Sequence, residues 1–325
     1  MKESVNQPLS NLVSKLILGV IAGIIVTAAF LFFTDLQQVT SHIRAIPVGY
    51  LLTAFLLTLG SYLLRLCKWH LFFKWSGYSI PLKYNTTVFF IGLMMSITPG
   101  KAGELIKSYL LQQKADVPYP VSISIVFFDR LTDLIAMAAL LGIGLFAYPF
   151  GATSFLIFVV LLIFFFVVVR REGFIKQTIN LLTKPDKLRR FRKSLLNFYQ
   201  QVYYLLRFPL LSSSFFISFL AWLLECISLY VVVAAFSQEF SLVQSILTFS
   251  LGTLAGALSM IPGGLGAAEG SITGLLIYFG ITGSLAVSIA LIIRFVTLWF
   301  GVGIGIIVFF ASDTFKSLRS KKESS

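Results

Sequence analysis

Eight long apolar stretches run through this sequence, and two of them are cut in the middle by Pro-Gly. A membrane helix needs about 20 mostly apolar residues. Six stretches approach or exceed that length without a break: 12–33, 47–66, 121–150, 152–169, 209–236 and 283–311. The other two, 84–112 and 241–280, are interrupted at Pro99-Gly100 and at Pro262-Gly263-Gly264. Proline removes a helix donor and clashes with the preceding turn, so most of the resulting halves are too short to cross a bilayer. They are expected to form re-entrant hairpins whose tips lie inside it. The sequence therefore predicts an all-α polytopic membrane protein with about six full transmembrane helices plus two re-entrant broken-helix hairpins. Composition agrees: 57% of the 325 residues are hydrophobic and 12% are charged, against about 25% charged in soluble proteins. No stretch is polar enough to form a separate water-soluble catalytic domain.

The net charge of +13 reads mainly as an orientation signal. With the N-terminus inside, Arg44 alone falls in an outer loop, and Lys101, Arg130 and Arg294 fall inside membrane segments. The other 22 of the 26 Lys and Arg lie on, or at the edge of, the inner side, as the positive-inside rule requires. This predicts a multi-pass protein of the cell (cytoplasmic) membrane with both termini cytoplasmic, and nucleic acid is not needed as a partner. Residues 170–207 hold ten basic and two acidic side chains, with Leu188, Phe191, Leu195, Phe198, Val202 and Leu206 at helical spacing. That pattern fits an interfacial amphipathic helix beside anionic headgroups, or a solvated loop that only fixes topology. Trp69, Trp75 and Tyr78 are expected in an interfacial belt, His42 in an outer loop, and Cys67 and Cys226 in apolar, buried positions.

The two breaks repeat one pattern. Ser96-Ile-Thr-Pro99-Gly100-Lys-Ala-Gly103 and Ser259-Met-Ile-Pro262-Gly263-Gly-Leu-Gly266 both read S-x-x-P-G-x-x-G. Each is followed by an acidic residue, Glu104 or Glu269, and then by an arginine 31 or 32 residues after the proline, Arg130 or Arg294. Three full spans separate the hairpins, so the repeats enter from opposite faces. The expected organisation is a single integral membrane domain, 1–325, with repeat 1 at about 47–169, a basic segment at 170–208, repeat 2 at about 209–311 and a tail at 312–325. Broken helices in inverted repeats point to a midplane transport site. At about 1.5 Å per residue, both tips and both arginines can reach the middle of a core about 30 Å thick.

The candidate chemistry follows from these groups. Helix N-termini at the tips suit a phosphate oxygen, and Lys101 adds a full charge at the first tip. Gly100, Gly103, Gly263, Gly264 and Gly266 either let backbone approach a ligand or serve hairpin packing. Asp129, Arg130 and Asp133 share a helix face. They form either an ion-pair lock or, with Arg294, a headgroup site whose carboxylates gate or carry protons. Glu104 either favours its helix N-terminal dipole or joins Asp129 and Asp133 in gating and proton coupling; Glu269, two turns beyond Pro262, fits the dipole role less well and the gating or proton-coupling role better, and Glu225 reads as a local partner. Neither histidine can build a triad or a multi-His metal site, no nucleotide fingerprint is present, and no cofactor is expected.

The segments 96–104 (SITPGKAGE), 128–133 (FDRLTD), 261–270 (IPGGLGAAEG) and 294–299 (RFVTLW) together resemble the flippase-like transmembrane region of lysylphosphatidylglycerol synthases, over nearly the whole chain. The resemblance implies movement of an anionic phospholipid or polyprenyl-phosphate-linked lipid between leaflets, with membrane lipids as partners. In fused members a separate cytosolic domain performs the aminoacyl transfer. Only 14 residues follow Ala311, so lysyltransferase activity is not expected, and with no catalytic constellation in the sequence neither is another enzyme activity. The rival expectation is a non-transporting, lipid-binding accessory subunit of a biosynthetic enzyme, working through its basic inner face.

Overall fold

The computed structural model describes residues 21, 25, 36–98, 103, 105–148 and 151–312. The span expected at 12–33 therefore lies almost wholly outside the described residues, as do Pro99, Gly100, Lys101, Glu104 and the tail beyond Ser312. Among the described residues the ordered elements are all helical.

A short helix, α1 (Leu36–Ala45), replaces the outer loop expected around His42. Its His42 Nδ1 lies 3.2 Å from Ser288 Oγ. The long α2 (Val48–Trp75) leads into the first hairpin, made of α3 (Leu82–Met94), a 3-10 turn (Met95–Ile97) and α4 (Ile106–Ala115). Next come α5 (Tyr119–Leu145) and α6 (Gly151–Arg170). The basic segment folds into α7 (Glu172–Leu182), the single turn α8 (Asp186–Arg189) and α9 (Arg192–Leu205). The second half repeats the plan: α10 (Phe208–Ala234), a hairpin of α11 (Leu242–Leu258) and α12 (Ala267–Tyr278), then α13 (Gly283–Arg294), which continues through a π-helical turn (Phe295–Trp299) into α14 (Phe300–Ala311). Three described stretches are long and apolar enough to cross a membrane, Val48–Trp75, Phe208–Ala234 and Gly283–Ala311.

The helices that precede the two hairpins, α2 and α10, pack along each other more extensively than any other pair. They run antiparallel: Lys68 meets Ser218, Arg65 meets Glu225, and the Ser228 hydroxyl donates to the Ala54 carbonyl. Each hairpin is then gripped by the helix that follows the other one, α5 against α11 and α14 against α3. Glycine makes both grips close. A Cβ at Gly144 would stand 2.8 Å from the Leu247 Cα, and one at Gly305 would stand 2.5 Å from the Phe90 carbonyl oxygen. The two halves are thereby interlocked rather than placed side by side.

Two apolar cores result. One gathers α10, α11, α12 and α13 around Leu229, Leu276 and Ile289; the other gathers α3, α4 and the ends of α2, α5 and α9 around Phe72, Ile91 and Phe128. Trp69 belongs to the second core and is fully buried, its indole N–H donating to Asn85 Oδ1 at 2.8 Å. It is not an interfacial anchor, because α2 runs on to Trp75 instead of ending near Leu66. Cys226 is buried as expected, whereas Cys67 is exposed on the outer flank of α2.

Candidate functional site

The breaks of the two hairpins touch. The turn Met95–Ile97 packs against the turn Pro262–Gly264, and a Cβ at Gly263 would lie 3.6 Å from the Ile97 Cα. The second break is built from left-handed backbone: Met260, Gly263, Gly264 and Gly266 all have positive φ, a conformation that glycine adopts without the Cβ penalty. Gly264 also packs on the Gly256 backbone, where a Cβ would come within 2.9 Å. Gly103 is similarly enclosed, with its N–H donating to Thr98 Oγ1 at 2.8 Å.

Those turns delay the start of α12 to Ala267. Glu269 therefore lies in the first helical turn, and its Oε2 accepts the Gly266 N–H at 2.7 Å. Two turns beyond its proline, Glu269 reads in sequence as the weaker candidate for a helix N-terminus, and this offset corrects that ranking. Its other oxygen, Oε1, takes Arg294 Nε at 2.7 Å, and Arg294 Nη2 donates to the Gly263 carbonyl at 2.6 Å. Arg294, Glu269, Gly263 and Gly266 thus form one closed lock around the second break.

Around Arg130 the arrangement is wider. On α5, Asp129 and Asp133 each offer Oδ1 to the fully buried Lys68 of α2, at 2.8 and 2.7 Å. Ser218 of α10 accepts from Lys68 Nζ at 2.7 Å or donates to Asp133 Oδ1 at 3.0 Å. The outer oxygens, Oδ2, face Arg130: 2.9 Å from Nη2 to Asp129 and 3.7 Å from Nη1 to Asp133. The Arg130 side chain is about 30% exposed while both carboxylates are buried. The two acids lie between one inner and one outer cation.

Two further buried cations escaped the sequence reading. Arg65 pairs with Glu225 at 2.9 Å and stacks on the Trp222 ring at 3.9 Å, and Ser61 donates to the same carboxylate. Lys107, also buried, lies 4.6 Å from the Trp69 ring centroid. Arg65, Lys68 and Lys107 therefore lie in the protein interior rather than on an exposed basic face. A signal existed: Thr58, Ser61, Arg65 and Lys68 recur at three- and four-residue steps, a polar stripe on one helix face. Glu225 is the local partner expected of it. Finally, Tyr62 on α2 donates to the Thr297 carbonyl at 2.7 Å, inside the π-helical turn that follows Arg294, and so joins α2 to the second lock.

Helix pairs of opposite direction, interlocked hairpins and buried ion pairs define a multi-pass α-helical membrane protein. Residues 20–305 match the family model described as the lysylphosphatidylglycerol synthase TM region, and the chain belongs to that family. It is also similar to UPF0104 membrane proteins of archaea. One match in Methanothermobacter thermautotrophicus is 42% identical over 115 residues, 35% of this chain and 34% of that protein. A longer match under the same description in that organism is 23% identical and covers 93% of this chain and 97% of the relative. A Pyrococcus horikoshii protein is 21% identical, with 86% and 92% covered. The chain thus spans about a third of the first relative's length and nearly all of the other two.

Proposed function

We propose that this protein moves an anionic phospholipid or a polyprenyl-phosphate-linked lipid between membrane leaflets, as transport rather than catalysis. The observation that supports this most is the division of labour within the Arg130 cluster. A buried charge left without a partner is costly, so an arginine that must release its carboxylates to take a lipid phosphate needs a second cation to hold them. Lys68 occupies that position, on the inner oxygens of both acids. Arg130, the more exposed of the two cations, can exchange Asp129 and Asp133 for the headgroup while both acids keep Lys68 as a partner.

In this reading Arg130, with Lys101 and Gly100 at the first tip, receives the phosphate, and Asp129 and Asp133 gate its entry. Arg294 and Glu269 fix the second tip, and the contact between the two breaks is the place about which the halves rock. The test is reconstitution in liposomes with fluorescent anionic lipid, read by bleaching of the outer leaflet. Arg130→Ala is expected to reduce movement at least tenfold, with Arg130→Lys recovering part of it. Full lipid movement by Arg130→Ala in folded protein would overturn the proposal.

A further inference from the structure

Residues 171–206 are not used by the transport reading, yet they are built as a strap with a docked base and an exposed tip. At the base, Tyr199 donates to the Val169 carbonyl at 3.0 Å, Arg170 to the Leu206 carbonyl at 3.2 Å and Tyr204 to the Trp75 carbonyl at 3.0 Å. Tyr199, Val202 and Leu205 are buried there. The tip comprises the end of α7, the turn α8 and the start of α9, tied across by Arg192 Nε on Asn180 Oδ1 at 2.9 Å.

The tip shows two kinds of side chain at once. Leu181, Leu182, Leu188, Phe191 and Leu195 are exposed, and Lys184, Arg189, Arg190, Arg192 and Lys193 are exposed among them. A loop that served only to fix topology would need the charges but would gain nothing from the leucines. An apolar band interleaved with arginine is what an interfacial segment presents to a leaflet of anionic headgroups. The tether supports the same occupant. The strap leaves the apolar α6 at Arg170 and returns at Phe208 into α10, a helix of membrane-spanning length, so both its ends lie at one bilayer surface. The 11 residues of α7 reach only about 16 Å from that point, a distance comparable with one or two Debye lengths.

We propose that this tip is a binding site for anionic lipid headgroups, lying on the bilayer with its leucines and Phe191 inserted. The test uses full-length protein carrying Cys67→Ser and Leu195→Cys, labelled with an environment-sensitive fluorophore, in nanodiscs of phosphatidylcholine alone or mixed with phosphatidylglycerol. Quenching by nitroxide-labelled lipid should be several-fold stronger in the mixed discs and should fall as salt is raised. Replacing Arg189, Arg190, Arg192 and Lys193 together by Gln should remove the difference. If that variant does not fold, the salt titration of the parent protein decides alone. Equal quenching in both bilayers, or quenching indifferent to salt, overturns the proposal and leaves the patch to a protein partner.

Discussion

The two halves carry the same break, but they spend their charges differently. In the second half, Arg294 and Glu269 pair directly at the break itself, and together they satisfy the Gly263 carbonyl and the Gly266 N–H. In the first, Asp129 and Asp133, faced by Arg130 on their own helix, reach across to Lys68 on α2, and Asp133 also to Ser218 on α10. One cluster holds a hairpin in shape; the other joins three helices that belong to both halves. A duplicated plan can thus keep one copy as a fixed support while the other becomes the place where partners can be exchanged.

The sharpest way to break this comparison is to remove the inner cation. Lys68→Met leaves two buried carboxylates facing Arg130 alone, and loss of one partner from a buried ion pair costs about 3–5 kcal/mol. A large fall in thermal stability in detergent is expected, recovered in large part when Asp133→Asn is added. An unchanged midpoint would show that the first cluster is no more than a local contact.

The interlock comes next. Gly144→Ala and Gly305→Ala each drive a methyl into the opposite half's hairpin, and overpacking of this kind costs about 1–3 kcal/mol. Because the two grips are equivalent by plan, both should destabilise to a similar extent. Loss at one position only, measured by thermal unfolding, would show that the halves are gripped unequally. Glu269→Gln should cost less than Glu269→Ala, since glutamine can still accept the Gly266 N–H as a helix cap, and both should slow lipid movement. Equal effects would mean that the ion pair alone matters.

The breaks, the arginines and the hairpins were legible because Pro-Gly and intramembrane charge are strong local signals. Lys68, Arg65 and Lys107 were not read as buried, because a cation at the end of an apolar run looks like an interface marker. Only the 28-residue length of α2, roughly 42 Å at 1.5 Å per residue, and its partners on α10 place Arg65 and Lys68 inside, and only the fold of the hairpin sets Lys107 against Trp69 and Phe89. Glu269 was misjudged for a related reason: the distance from Pro262 was counted as helix, whereas positive φ at Gly263, Gly264 and Gly266 consumes those residues in turns. Sequence located the breaks but could not tell how much chain each would use before a helix resumed.

The smallest expected effect bears on how the two clusters communicate. Tyr62 is the one residue of α2 whose hydroxyl reaches the π-helical turn, and a π turn displaces carbonyls from the regular helical ladder. Tyr62→Phe removes the donor to Thr297 and nothing else, so its stability cost should be about 1 kcal/mol or less. If the first cluster exchanges partners while the second holds still, that hydrogen bond lets one region sense the other. Tyr62→Phe should then lower the rate of lipid movement several-fold with the midpoint of unfolding almost unchanged, a split that loss of ring packing on Gly301 would not produce. A rate equal to that of the unaltered protein would mean that the two clusters act independently, and the fixed support would owe nothing to α2.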